Sequence, residues 1–177
     1  MNLIFRLIRI LFLGWLRPAM HPMDPSALGF RTWPTDLDIN MHMTNSRYFA
    51  LMDLGRTELI LRTGIFRLVL KHKWQPVVSV STMRFKRAIK PFQHFHLETQ
   101  ALYWDEQGFY LEQRFVADGK TLALAVVKAV FVGRKGVVNP SHICTELGML
   151  DPSPDVPDWL SGWPDIEKAI EQRLGAI

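Results

Sequence analysis

Two carboxylates and an imidazole fall in one short stretch: Asp36, Asp38 and His42, with Asn40 and Asn45 interleaved. Side chains of these types can bond loop amides, hold a hard cation or move protons, so spacing has to discriminate. Asp36, Asp38 and Asn40 imitate the first three ligand positions of an EF-hand loop. That reading fails, because Met41 stands where such a loop needs Gly and Arg47 where it needs a bidentate Glu. His94 and His96 alternate on one strand face, but two ligands without a third do not make a zinc site. No Gly-rich phosphate loop and no G-x-S-x-G elbow occurs. What remains is a polar loop opening directly onto an apolar segment.

That segment must position the loop. Residues 45–64 read as one helix, with Asn45 or Ser46 as the cap and Gly64 as a left-handed stop. Tyr48, Met52, Gly55 and Leu59 share a face, and Phe49, Leu51, Leu54, Ile60 and Leu61 make most of the remaining surface apolar. A helix apolar on nearly all sides is a buried helix. Gly55 in its middle costs about 1 kcal/mol relative to Ala, so another backbone is expected to pass close by. The polar loop therefore sits at the mouth of a buried helix. There, unpartnered amides and the helix dipole favour negative charge.

Strand signals flank the helix. A short strand precedes it at 28–32. Four longer runs follow at 76–86, 94–104, 109–116 and 121–132, joined by short turns such as Asp105-Glu106-Gln107-Gly108. Short connections favour antiparallel pairing. The last run is apolar almost throughout, which predicts a central, doubly covered strand. A short helix is expected from Asn139-Pro140-Ser141 to about Leu147, a Pro/Asp linker at 150–158 and a last helix at 165–174. The expected divisions are an amphipathic segment and linker at 1–23, one α+β domain at 24–138 and a helical extension at 139–177.

Residues 1–17 are apolar apart from one narrow stripe of Asn2, Arg6, Arg9 and Arg17, and no acidic residue occurs before Asp24. The run is too short and too interrupted to span a bilayer. Arg6 and Arg9 also sit where a secretory signal would be apolar. Two readings stand: an interfacial helix with its arginines toward anionic head groups, or a helix packed on its own domain or a partner subunit.

Composition bounds the rest. The chain has 177 residues, 48% hydrophobic and 21% charged, which suits one well-packed domain. The net charge of +4 permits an anionic ligand or membrane surface, and the cations form no nucleic-acid signature. The lone Cys144 excludes an internal disulfide and fits a reducing compartment. The expected location is cytoplasmic, with residues 1–17 as a peripheral membrane contact.

The stretch T-D-L-D-I-N-M-H-M-T-N-S-R-Y, followed by Asp53 and Arg56 on the helix, resembles the signature of hotdog-fold acyl-CoA thioesterases of the 4-hydroxybenzoyl-CoA thioesterase-like superfamily. L-Y-W-D-E-Q-G-F-Y-L-E-Q-R-F at 102–115 and the Pro/Asp-rich tail before Trp159 resemble one branch, typified by thioesterase superfamily member six. Two departures stand out: Met41 where many relatives have Gly, and Thr44 where Asn is usual. The resemblance implies an α+β hotdog fold, a long central helix wrapped by a curved antiparallel β-sheet. It implies hydrolysis of an acyl thioester of coenzyme A or acyl carrier protein, with no metal or redox cofactor, in a homodimer or tetramer. Asp38 matches the catalytic carboxylate, and His42 the position that orients substrate or water. The amides around Asn45, Ser46 and Arg47 match the carbonyl-polarising site, with Tyr48 next to them. Asp36 is expected to bond loop amides, and Glu58 is a lesser rival to Asp38. Arg84 and Lys86, with Arg87 and Lys90, would form a cationic rim for coenzyme A phosphates if that strand end approaches Arg134 and Lys135. The alternatives are a non-catalytic acyl-CoA or lipid-binding module on the same fold, and a membrane scaffold worked by the N-terminal helix.

Overall fold

The structure, a computed structural model, describes residues 3–175. Its elements are α1 (Leu3–Leu16), β1 (Ser26–Arg31), α2 (Asn45–Arg62), α3 (Ile65–His72), β2 (Gln75–Phe85), β3 (His94–Trp104), β4 (Phe109–Ala117), β5 (Lys120–Gly133), β6 (Gly136–Val138), α4 (Pro140–Glu146) and α5 (Trp163–Gly175). The strands form one antiparallel sheet in the order β1-β3-β4-β5-β2, with the short β6 pairing on β5. The sheet is strongly curled, as the hotdog resemblance implies. The apolar run of β5 lies between β4 and β2 with most of its residues buried, as its composition predicts.

The 18 residues of α2 pack against the sheet. Leu51, Met52 and Leu59 join Phe95, Leu97 and Phe115 in the main core. Side chains alternate along β5. Ala123, Ala125 and Val127 face this core, whereas Val126 packs with Tyr103, Tyr110, Leu160 and Trp163 on the opposite face. There α5 is held by Lys128 Nζ, 2.8 Å from Glu167 Oε1.

Two local expectations are corrected. The helix cap is Thr44, with extended backbone, rather than Asn45 or Ser46. The close approach at Gly55 is made by side chains rather than backbone. A Cβ there would lie 2.6 Å from Thr99 Oγ1 and 3.0 Å from both Gln113 Nε2 and Leu97 Cδ2. Gly64, at φ 82°, does supply the left-handed stop and also begins α3.

The N-terminal helix departs further from expectation. Its arginine stripe faces the domain. Arg6 is buried, with Nη2 2.5 Å from Asp36 Oδ2 and 3.1 Å from the carbonyl of Arg31. Arg17 Nη1 bonds Glu58 Oε1 at 3.0 Å. Ile10 and Gly14 are buried on the same side, and a Cβ on Gly14 would lie 3.1 Å from Leu61 Cδ1. These arginines therefore do not reach outward to head groups, because two buried carboxylates of the domain claim them. Of the remaining stripe, Arg9 is exposed and Asn2 lies outside the described residues.

Candidate active site

The loop before α2 is built around Asp36. Its buried carboxylate accepts from the Trp33 amide at 2.9 Å, from Arg6, and from Arg47 Nε at 2.9 Å. Its carbonyl accepts from the Thr44 amide at 2.9 Å, and Leu37 and Met43 form an antiparallel bridge. The expected structural role of Asp36 is thus extended: it ties the loop to α1 and α2 together.

Asp38 sits at the turn of this loop and is exposed. Its amide donates to the His42 carbonyl at 2.8 Å. Oδ1 accepts from the amides of Asn40 at 2.8 Å and His42 at 3.1 Å. Oδ2 has no protein partner among the described residues. The turn places Met41 at φ 57°. That left-handed backbone explains why Gly suits the position: a side chain there costs about 1–2 kcal/mol. The His42 ring is exposed and has no partner among the described residues.

At the start of α2, the Arg47 amide bonds the Thr44 carbonyl at 2.9 Å, and the amides of Asn45 and Ser46 have no acceptor among the described residues. The side chains of Asn45 and Ser46 are exposed, and Ser46 Oγ lies 3.1 Å from Thr44 Oγ1. Arg47 is occupied twice over, its amide by Thr44 and its guanidinium by Asp36 and the Thr35 carbonyl. Tyr48 is buried, its ring edge-on to Phe85 and Phe115, and burial raises its phenol pKa. Neither the Arg47 side chain nor Tyr48 reaches the open face of the loop.

The turn after β2 runs beside this loop, since the Met43 amide donates to the Ile89 carbonyl at 3.1 Å. Arg84, Lys86, Arg87 and Lys90 are all exposed there, with no ion pair among the described residues. Arg134 and Lys135 do not join them. In the antiparallel β2–β5 pair, Arg84 faces Leu124 while Gln75 faces Val132, so Arg134 lies at the other end of the strand, about 30 Å away. The expected rim is therefore made of the first four cations alone.

A cavity of about 380 Å³ lies between α2 and the sheet. Leu59, Ile60, Trp104, Phe109, Leu111 and Phe131 give it an apolar wall, and Asp53, Arg56 and Thr57 supply polar groups. Arg56 Nη1 bonds Gln113 Oε1 at 2.5 Å and Arg56 also pairs with Asp53. Gln113 is fixed in turn by Thr99 Oγ1 and the Met52 carbonyl, both at 3.0 Å. Burial lowers the Arg56 pKa, with Asp53 opposing. Asp38 does not line this cavity. The cavity begins at Asp53, about 12 Å along α2 from the helix mouth.

The description "Thioesterase-like superfamily" matches residues 32–163. The chain belongs to this superfamily. Protein THEM6 of Xenopus laevis is 32% identical over 146 residues, covering 81% of this chain and 69% of that protein. A probable thioesterase of Saccharomyces cerevisiae is 30% identical over 121 residues, 66% of this chain and 52% of that one. Among solved structures, a Staphylococcus aureus protein in complex with CoA superposes with a TM-score of 0.61 at 12% identity, over 81% of this chain and 96% of the other.

Thioester hydrolysis is the activity of this family, and the expectation of a hotdog-fold thioester hydrolase is borne out. The fold brings Asp38, His42, Asn45 and Ser46 to one helix mouth, with Arg84 at the end of β2 and Lys86 on the turn that follows it. Asp53, Arg56 and Thr57 escape a reading based on the loop motif alone. The Asp-x-x-Arg pair on the helix was their one signal, and the cavity they line is assembled from strands far apart in sequence.

Proposed function

We propose that this protein hydrolyses fatty acyl-CoA thioesters as a homodimer, with Asp38 as the reacting carboxylate. The observation that carries the reading is the open Oδ2 of Asp38 at the same helix mouth as the unpartnered amides of Asn45 and Ser46. Asp38 takes a proton from a water as that water attacks the thioester carbonyl carbon. The two amides receive the charge that develops on the carbonyl oxygen, and the helix dipole adds to them. The carbon–sulfur bond then breaks, and the thiolate leaves with a proton, giving free acid and thiol. Direct attack by Oδ2, through an acyl anhydride that water opens, gives the same products. His42 orients the water or substrate, and Arg84 and Lys86 receive coenzyme A phosphates.

A second subunit is required by the same reading. β2 is a sheet edge, with Val77, Val78 and Phe85 exposed. Ile39 at the loop tip is 98% exposed, and Phe49 on α2 is exposed as well. Pairing along this edge covers apolar side chains and brings a second loop toward the cavity, which then holds the acyl chain. Residues 1–17 add a peripheral contact with the cytoplasmic face of a membrane, where long-chain substrates partition. Among the described residues no helix is long and apolar enough to cross one.

One observation favours a non-catalytic acyl-CoA-binding module instead: Asp38 already has a structural task through Oδ1. Free-thiol release from a panel of acyl-CoA and acyl-carrier-protein thioesters separates the readings. Turnover on at least one chain length supports hydrolysis, whereas binding without turnover supports the module. Light scattering checks the assembly, and a well-folded monomer at micromolar concentration contradicts the dimer.

A further inference from the structure

The outward face of α1 is apolar along its whole length. Ile4, Phe5, Ile8, Leu11, Phe12, Trp15 and Leu16 are all exposed, Trp15 by 89%. A surface helix ordinarily turns such a face inward and its charges outward. Here the reverse arrangement is held by ion pairs at both ends: Arg6 with Asp36 near the first turn, and Arg17 with Glu58, which Arg62 also binds at 3.1 Å. Two buried carboxylates of the domain thus fix which side of the helix faces out.

A second patch adjoins it. The Arg31 carbonyl accepts from Arg6, so the end of β1 lies against α1. The Arg31 guanidinium lies over the rings of Trp33 and Phe92, at 5.9 and 5.6 Å, and both rings are exposed. Arg9 on α1, and Arg31 and Lys90 by the second patch, are exposed cations. Aromatic rings with arginine are the pairing that anchors proteins at the head-group level of a bilayer.

We propose that α1 lies in the near leaflet of a lipid membrane by this apolar face, with Arg6 and Arg17 acting as ties to the domain and the Arg31–Trp33–Phe92 patch as a second anchor. This deepens the membrane contact in the proposed function by naming its chemistry. Insertion is carried by apolar area, and few cations are left to meet phosphates, so zwitterionic lipid suffices. Because Arg6 holds Asp36, the loop bearing Asp38 is fixed relative to the membrane plane.

Flotation of the full chain with two kinds of vesicle tests the inference: phosphatidylcholine alone, and phosphatidylcholine mixed with phosphatidylglycerol. The expected result is flotation with both, strengthened by about a hundredfold or less on the anionic vesicles and still detectable in high salt. The double substitution Phe12→Ser and Trp15→Ser is expected to cut partitioning at least about tenfold. It should leave the thermal midpoint and the hydrolysis of a short, soluble acyl-CoA unchanged, since both side chains point away from the domain. Three outcomes overturn the inference: no flotation on either vesicle, release from anionic vesicles by salt alone, or a double variant that floats as before but changes its oligomeric state. The last would mean that a second copy covers this face. None of these bears on thiol release, so the thioesterase reading stands or falls separately.

Discussion

α1 and α2 are both largely apolar helices, yet they are wired in opposite senses. α2 turns Leu51, Met52 and Leu59 toward the sheet and shows Asp53, Arg56 and Thr57 to the cavity. α1 turns Arg6 and Arg17 inward and shows Phe5, Phe12 and Trp15 to the outside. The difference lies in what each inward face meets. The sheet offers α2 uncharged side chains, Leu97 and Phe115 with the buried Thr99 and Gln113 beside them. The surface under α1 offers Asp36 and Glu58, both buried and both costly unless opposed by a positive charge. A charged stripe therefore marks the side of a helix that faces complementary charge, and that side is not always water.

Removing a tie from α1 should have the largest effect. Arg6→Ala leaves Asp36 buried with one guanidinium fewer, and a loss of about 3 kcal/mol in unfolding free energy is expected. Phe12→Ser on the opposite face should stay within about 0.5 kcal/mol of wild type. Chemical denaturation of the two variants checks the contrast, and equal effects would erase it. Next comes α2: Gly55→Ala forces a methyl against Thr99 Oγ1 and should cost about 1–3 kcal/mol, read in the same way. The smallest effect belongs to the loop between the helices. Met41 is exposed and left-handed, so Met41→Gly should raise stability by about 0.5–1 kcal/mol. A fall instead would mean that the Met41 side chain has a packing role.

Much of this was legible in the sequence. The period of Tyr48, Met52, Gly55 and Leu59 located α2, and the unbroken apolar run of β5 marked a strand paired on both sides. The loop motif found Asp38 and the helix mouth. Three things were not legible. The wheel of α1 separates two faces but does not say which one the domain claims; that depends on Asp36 and Glu58, each buried by other elements. The cationic rim needed strand direction, and antiparallel pairing sends Arg84 and Arg134 to opposite ends. The short β6 has only three residues, too few for a periodic signal.

The substitution Asp38→Asn tests the central claim most directly. The amide keeps an oxygen to accept from Asn40 and His42, so the loop should hold and the melting profile should match wild type. It removes the charge proposed to activate water, so free-thiol release from acyl-CoA should fall by about a thousandfold. A folded Asp38→Asn protein with near wild-type turnover would contradict the account and remove Asp38 from the mechanism.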